Sequence, residues 1–213
     1  MKLSPAQKEL VEKLHSNVTT GLTSDQASDR REHDGFNVIK PPVDCPAWIC
    51  CLLPCIKHVP SMKAFAQIKP EDAEILRNGK WIRYDASSLV NGDIIRLEEG
   101  DIVPADCIAL SVEAGEMLVD MRAVTGEDKP RSSKQTADST AQALQLFWGG
   151  TVVQGAGTAI VTATGSQTFV AGLIRDKRFP PTENVLLPKE ENTVSIGGEE
   201  DEGISLIDRR ETV

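Results

Sequence analysis

Asn78-Gly79 sits between Glu74-Ile75-Leu76-Arg77 and Trp81-Ile82-Arg83-Tyr84, and this spacing most constrains what the chain can become. An Asn-Gly pair between two short strand-like runs is the strongest short-range signal for a tight β-hairpin, because both turn positions need positive φ. The same punctuation then repeats. Asn91-Gly92-Asp93 and Glu99-Gly100-Asp101 bracket Ile94-Ile95-Arg96-Leu97. Further strand-like runs follow at Cys107–Val112, Met117–Val119, Thr151–Gln154 and Thr158–Thr164. Short strands separated by regular turns predict an α+β, mainly β domain with a jelly-roll-like arrangement.

Helices are expected only at the ends of this body. Residues 5–15 place Leu10, Val11 and Leu14 on one helical face, with Ser4 positioned to cap and Pro5 at the first turn. Thr23-Ser24-Asp25-Gln26 opens a second short helix that ends before Gly35, and Thr168–Arg175 has the length of a closing helical turn.

Charge narrows the function classes. The chain of 213 residues carries a net charge of −9. From Lys189 to Val213 there are eight acids and three bases, net −5, with Gly197-Gly198 and no long apolar period. Residues 179–213 are therefore expected to be a disordered acidic tail. An acidic balance argues against a nucleic-acid partner, which calls for basic surface. No apolar stretch follows Met1, so no secretory signal is expected. The longest apolar run, Ala47 to Ile56, is broken by Pro54 and falls short of the ~20 residues a membrane-spanning helix needs. Five cysteines without a disulfide-framework spacing suit a reducing cytoplasmic compartment.

The segment Leu89–Pro130 carries two Gly-Asp turns, Val103-Pro104-Ala105-Asp106, Met117-Leu118-Val119-Asp120 and Thr125-Gly126-Glu127, in that order. Downstream come Gly150-Thr151-Val152-Val153-Gln154-Gly155 and Val161-Thr162-Ala163-Thr164-Gly165-Ser166-Gln167-Thr168; upstream come Gly21-Leu22-Thr23 and Gly35-Phe36-Asn37. This succession resembles the actuator domain of P-type cation-transporting ATPases together with that family's cytosolic N-terminal segment. Each motif alone is weak, but their shared order makes the match specific. The implied organisation is an N-terminal helical part over 1–42, a Cys-rich connector over 43–68 where the pumps have a transmembrane hairpin, an actuator β domain over 69–178, and the acidic tail. The family's D-K-T-G phosphorylation motif and a glycine-rich nucleotide loop do not occur in the sequence. The expectation is a self-contained actuator domain, without the parts that make and carry the aspartyl phosphate, and with no cofactor.

The resemblance also implies roles. In the family the glutamate matching Glu127 positions the water that hydrolyses the phosphoaspartate, and Gly126 permits close backbone approach. Thr125, Gly126, Glu127 and Asp128 are accordingly the candidate catalytic residues. Two departures stand out. Asp128 replaces the family's serine, and Asp120-Met121-Arg122-Ala123-Val124 replaces its D-x-S-x-L. Adjacent carboxylates repel an incoming phosphate by about 1 kcal/mol at 4 Å in water, more in a dry site. Arg122 or Lys129 is expected to offset this. The loop is thus either a solvated turn kept for fold or a hydrolytic site acting in trans on a separate pump.

The connector is the other unusual stretch, with Cys45, Cys50, Cys51 and Cys55 among Trp48, Ile49, Leu52 and Leu53. Three readings compete. Vicinal cysteines in apolar surroundings followed by Lys57 and Lys63 suit S-acylation, and two or more acyl chains anchor a protein stably to a membrane surface. Four thiolates can also bind a metal, although the spacing lacks the C-x2-C knuckles of zinc folds. Free cysteines also pack as small apolar residues. The expected role is a non-catalytic, membrane-associated regulator or adaptor with a membrane P-type ATPase as partner. The alternatives are a trans-acting aspartyl-phosphate hydrolase and a fragment or subunit of a split cation-transporting ATPase.

Overall fold

The structure is a computed structural model that describes residues 2–43, 59–134, 143–182 and 184–186. Helices α1 (Pro5–Lys13) and α2 (Ser24–Asp34) come first, followed by α3 (Pro60–Gln67). Strands β1 (Asp72–Arg77), β2 (Lys80–Asp85), β3 (Ile94–Leu97) and β4 (Asp106–Asp120) follow. A single turn α4 (Arg122–Thr125) precedes β5 (Arg131–Lys134), β6 (Gln145–Leu146), β7 (Thr151–Ala163) and α5 (Phe169–Arg175). The strands form one sheet in the order β2-β1-β3-β7-β4-β5, with β6 beside β4, and every pairing is antiparallel. The mainly β α+β architecture matches the expectation.

Period-two alternation explains why this sheet is covered on both faces. Ile75, Ile95, Cys107, Ala109, Ala159 and Val161 point into the main core with Phe65, Phe147 and Trp148. Their neighbours Leu76, Ile94, Leu110 and Ile160 point the other way, onto Val11, with Leu10 of α1 and Leu14 just past its end packed alongside. A sheet with one wet face would alternate apolar with polar; these strands are apolar on both sides because α1 needs a floor. Cys107 is fully buried in the main core, as expected of a packing residue, and burial pushes its thiol pKa up.

Both N-terminal helices begin with reciprocal caps. The Gln7 N–H donates to Ser4 Oγ at 3.3 Å and the Ser4 N–H to Gln7 Oε1 at 2.8 Å. Thr23 and Gln26 repeat this at 3.1 and 2.9 Å. Each cap satisfies two backbone donors that a helix start otherwise leaves open. Gln7 then reaches across to donate to the Ala109 carbonyl at 2.9 Å, which ties α1 to β4.

Several boundaries differ from the sequence reading. The runs Cys107–Val112 and Met117–Val119 are one strand, β4, and the two runs around Gly155 are likewise one strand, β7. The β4–β7 register shifts between Ala109 and Ser111 and again between Glu113 and Leu118, so the ladder bends without ending. Gly155 sits in this irregularity at φ +78°, where an added Cβ would lie 2.3 Å from the Glu116 carbonyl oxygen. The body also runs past the expected boundary at 178. Phe179 is buried and meets Phe65 edge-on at 6.3 Å, and Val185 packs against the main core. Aromatic area at Phe179 outweighs the polar composition that follows it. The rest of the acidic tail, from 187 onward, lies outside the described residues.

Candidate functional site

β4 delivers the chain to the Thr-Gly-Glu loop. Asp120, its last residue, accepts the Arg122 N–H at 2.8 Å and so starts α4. The N–H groups of Val124 and Thr125 both donate to the Met121 carbonyl, at 2.9 and 2.8 Å. Gly126 closes the turn in the left-handed conformation, φ 74° and ψ 14°, with its N–H on the Arg122 carbonyl at 3.0 Å. A left-handed residue after a helical turn is a C-terminal cap that glycine takes without strain. Met121 and Val124 are fully buried and anchor the turn from below.

The three motif residues divide the work. Thr125 is fully buried; its hydroxyl lies 3.0 Å from the Met121 carbonyl and 2.8 Å from Glu127 Oε2, and donates to one or the other. Glu127 Oε2 also accepts from Arg131 Nε at 2.8 Å. This ion pair is mostly enclosed, with side-chain exposures of 22% for Glu127 and 12% for Arg131. Arg131 in turn donates to the Gln145 carbonyl and lies 4.9 Å over the Phe147 ring, which stacks on Phe169 at 4.4 Å. The carboxylate is therefore held by a guanidinium that is itself held by β6 and an aromatic pair. Asp128, by contrast, is exposed.

The structure thus brings Thr125, Gly126 and Glu127 together and leaves Asp128 outside. Arg122 and Lys129, the expected offsets for the extra carboxylate, are also exposed. The guanidinium on Glu127 comes from Arg131, which the sequence reading did not single out. Its available signal was a basic residue four positions after the glutamate, across a Pro130 that turns the chain back. One further contact arrives from far away in sequence: the Val185 N–H donates to the Thr125 carbonyl at 2.9 Å.

Behind the loop, Asp106 joins the elements that carry it. Its two oxygens accept the Trp148 N–H at 2.9 Å and the Phe169 N–H at 2.6 Å. Burial pushes the Asp106 carboxyl up to about 6, against the lowering effect of those two N–H groups. Asn37 plays a similar part for the N-terminal segment. Its amide donates to the Ala86 and Pro104 carbonyls at 2.9 and 2.8 Å and accepts from the Gly165 N–H at 2.9 Å.

Residues 67–177 match the P-type ATPase actuator domain, and residues 6–54 match the cation transporter/ATPase N-terminus. The chain belongs to the P-type ATPase actuator-domain family. Among relatives of this actuator chain, the endoplasmic reticulum calcium ATPase srcA of Aspergillus fumigatus is 36% identical over 119 residues, 53% of this chain and 12% of that protein. Calcium-transporting ATPase 1 of Schizosaccharomyces pombe is 35% identical over 150 residues, 65% of this chain and 16% of that protein. The actuator chain thus spans less than a fifth of the length of either. A zinc-transporting PIB-type ATPase solved in its E2.Pi state aligns with a TM-score of 0.44 at 26% identity, over 58% of this chain and 20% of that one.

For a metal centre, the described residues of the actuator chain hold no cluster of three or more His, Cys, Asp or Glu side chains. Cys45, Cys50, Cys51 and Cys55 lie outside the described residues. No helix among the described residues is long and apolar enough to cross a membrane.

Proposed function

We propose that this chain is a non-catalytic actuator-type regulator or adaptor of a P-type cation ATPase. The observation that carries this reading is the Arg131–Glu127 ion pair. A carboxylate that is to orient a water on a phosphoaspartate needs an oxygen lone pair turned toward that water. Here Oε2 accepts from Arg131 Nε and lies 2.8 Å from the Thr125 hydroxyl, so one of the two oxygens is turned to the protein's own groups. The loop keeps the Thr-Gly-Glu sequence while its acid is paired with an internal partner, which suits docking better than hydrolysis. The calcium-pump relatives make a calcium-transporting ATPase the first partner to test.

The test is the decay of the phosphorylated intermediate of a calcium ATPase in native vesicles, with and without the purified chain. A regulator changes pump turnover equally as wild type and as Glu127→Gln. A trans-acting hydrolase accelerates decay only with Glu127 intact, and that result would replace the present reading. ATP hydrolysis by the purified chain alone would also overturn it. A second reading, a fragment of a split cation pump, draws on the presence of both family segments in the pumps' own order. It requires a separate chain that carries the D-K-T-G motif but no actuator, and co-purification with such a chain would favour it.

Membrane attachment by S-acylation of Cys45, Cys50, Cys51 and Cys55 completes the proposal, since it would hold the chain near a pump. Cell fractionation of wild type beside the four-fold Cys→Ser variant checks it. A wild type that stays soluble removes the anchor from the proposal.

A further inference from the structure

β2 ends the sheet on its side, with β1 as neighbour and, among the described residues, no strand beyond it. Its pairing with β1 fixes which way its backbone faces. Arg77 and Lys80 stand opposite across the two-residue Asn78-Gly79 turn and exchange hydrogen bonds, and so do Ile75 with Ile82 and Ala73 with Tyr84. The N–H and C=O groups of Trp81 and Arg83 therefore point away from the sheet. Several usual guards of a free edge are missing. The six pairs with β1 run without a register shift, β2 contains no proline, and Trp81 and Ile82 are 38% and 39% exposed. The opposite edge, β5, has only four residues and follows Pro130.

Charge is the guard that remains, and it acts only in registers that set like charges together. Two copies of an edge strand paired antiparallel by a two-fold axis must centre on one residue facing its own copy, because that axis keeps each side chain on its own face of the sheet. Centring on Arg83 opposes two guanidinium groups. Centring on Trp81 or Tyr84 drives one end of the strand into a turn, at Asn78-Gly79 or at Ala86–Ser88. Centring on Ile82 avoids both. It sets Ile82 against Ile82, Trp81 against Arg83 and Lys80 against Tyr84, and brings the Lys80 end of each strand beside the Asp85 end of the other. Aromatic and cationic side chains attract across such pairs. The same register matches Trp81 with Arg83 in backbone as well, the residues whose polar groups point outward.

We propose that a second copy of this chain pairs antiparallel with β2, in the register centred on Ile82, and joins two sheets edge to edge. The inference goes beyond the regulator reading and does not depend on it. The Thr-Gly-Glu loop lies between β4 and β5, at the other end of the strand order, so pairing at β2 leaves it out of the contact.

The test is sedimentation equilibrium of the full chain in reducing buffer across a range of concentrations. Wild type is expected to form a dimer. Ile82→Lys sets two ammonium groups face to face at the axis and is expected to raise the dissociation constant at least about tenfold. A wild type that stays monomeric overturns the proposal, as does a dimer that Ile82→Lys leaves intact. Disulfide trapping reads the register separately, in the background with Cys45, Cys50, Cys51 and Cys55 changed to serine, where Cys107 is buried. Facing residues of a non-hydrogen-bonded pair lie ~4.5 Å apart at Cα, within disulfide reach. Ile82→Cys is expected to cross-link to its own copy under mild oxidation, and Trp81→Cys is not. Cross-linking at Trp81 equal to that at Ile82, or at neither, overturns the edge pairing. The cysteine variants add no charge, so they decide the matter even where Ile82→Lys fails to fold.

Discussion

The Arg77 guanidinium and the Asp93 carboxylate form a two-point ion pair inside the sheet, Nε to Oδ1 at 3.0 Å and a terminal nitrogen to Oδ2 at 2.6 Å. Both side chains are buried, and Asp93 Oδ2 also accepts the Val90 N–H at 2.9 Å. Arg77 ends β1 and Asp93 precedes β3, so the pair locks the register of neighbouring strands. Removing one partner strands a buried charge, which typically costs about 3–5 kcal/mol. Asp93→Ala is expected to lose that much in urea unfolding. The double variant Arg77→Met/Asp93→Leu is expected to recover a large part of it, because no charge is then left unpaired.

Arg131 gives a prediction with two readouts. Arg131→Ala removes a partly enclosed ion pair and a ring contact, and a stability loss of about 1–2 kcal/mol is expected. It also frees Glu127. If the ion pair is what silences the loop, this variant, unlike wild type, speeds the decay of the pump phosphoenzyme, and Glu127→Gln in the same chain abolishes the gain. Equal decay with both would show that Arg131 is not what restrains the glutamate.

Asp106 predicts a pH dependence with a definite sign. Its carboxyl titrates at about 6 in the folded chain, above its ordinary value of 3.8. A raised carboxyl contributes stability when protonated, fully below about pH 4, and loses it as pH rises through about 6. The difference of roughly two units corresponds to about 3 kcal/mol. Asp106→Asn cannot titrate, and its amide sets an N–H against a backbone N–H. Its cost relative to wild type should therefore be larger at pH 4.5 than at pH 7.5 in parallel unfolding curves. A cost independent of pH would contradict the raised titration.

Gly155 predicts a steric effect. Its φ of +78° and the 2.3 Å approach of an added Cβ to the Glu116 carbonyl leave no room for alanine. Gly155→Ala should lower stability by about 1–3 kcal/mol and loosen the amides of Glu116 and Met117. Gly79→Ala, at φ +72° but in open space, should cost about 1 kcal/mol.

The sequence made some of this legible and hid the rest for physical reasons. β3 was readable to its ends because Asn91-Gly92-Asp93 and Glu99-Gly100-Asp101 fence it, and the α2 cap because Thr23 and Gln26 stand at box spacing. β4 and β7 read as broken strands because a glycine at positive φ looks the same in sequence whether the ladder ends or only bulges. α3 carried a start signal in Pro60, but it lay in a stretch dominated by cysteines. Within the site, Thr125, Gly126 and Glu127 were evident from the motif. Arg131 was not, since a single charge pair across a turn has no period. Val185 was beyond reach altogether, because a backbone N–H is common to every residue but proline and advertises no partner.

Asn37 and Phe65 stand on either side of residues 44–58, the first fastened to Ala86, Pro104 and Gly165, the second wedged between Trp148 and Phe179. Both residues are thus riveted to a single plate. Load that reaches either of them passes into the sheet and the aromatic stack together. The Thr-Gly-Glu loop rides on that same plate, so Asn37 and Phe65 are fixed points from which its orientation follows.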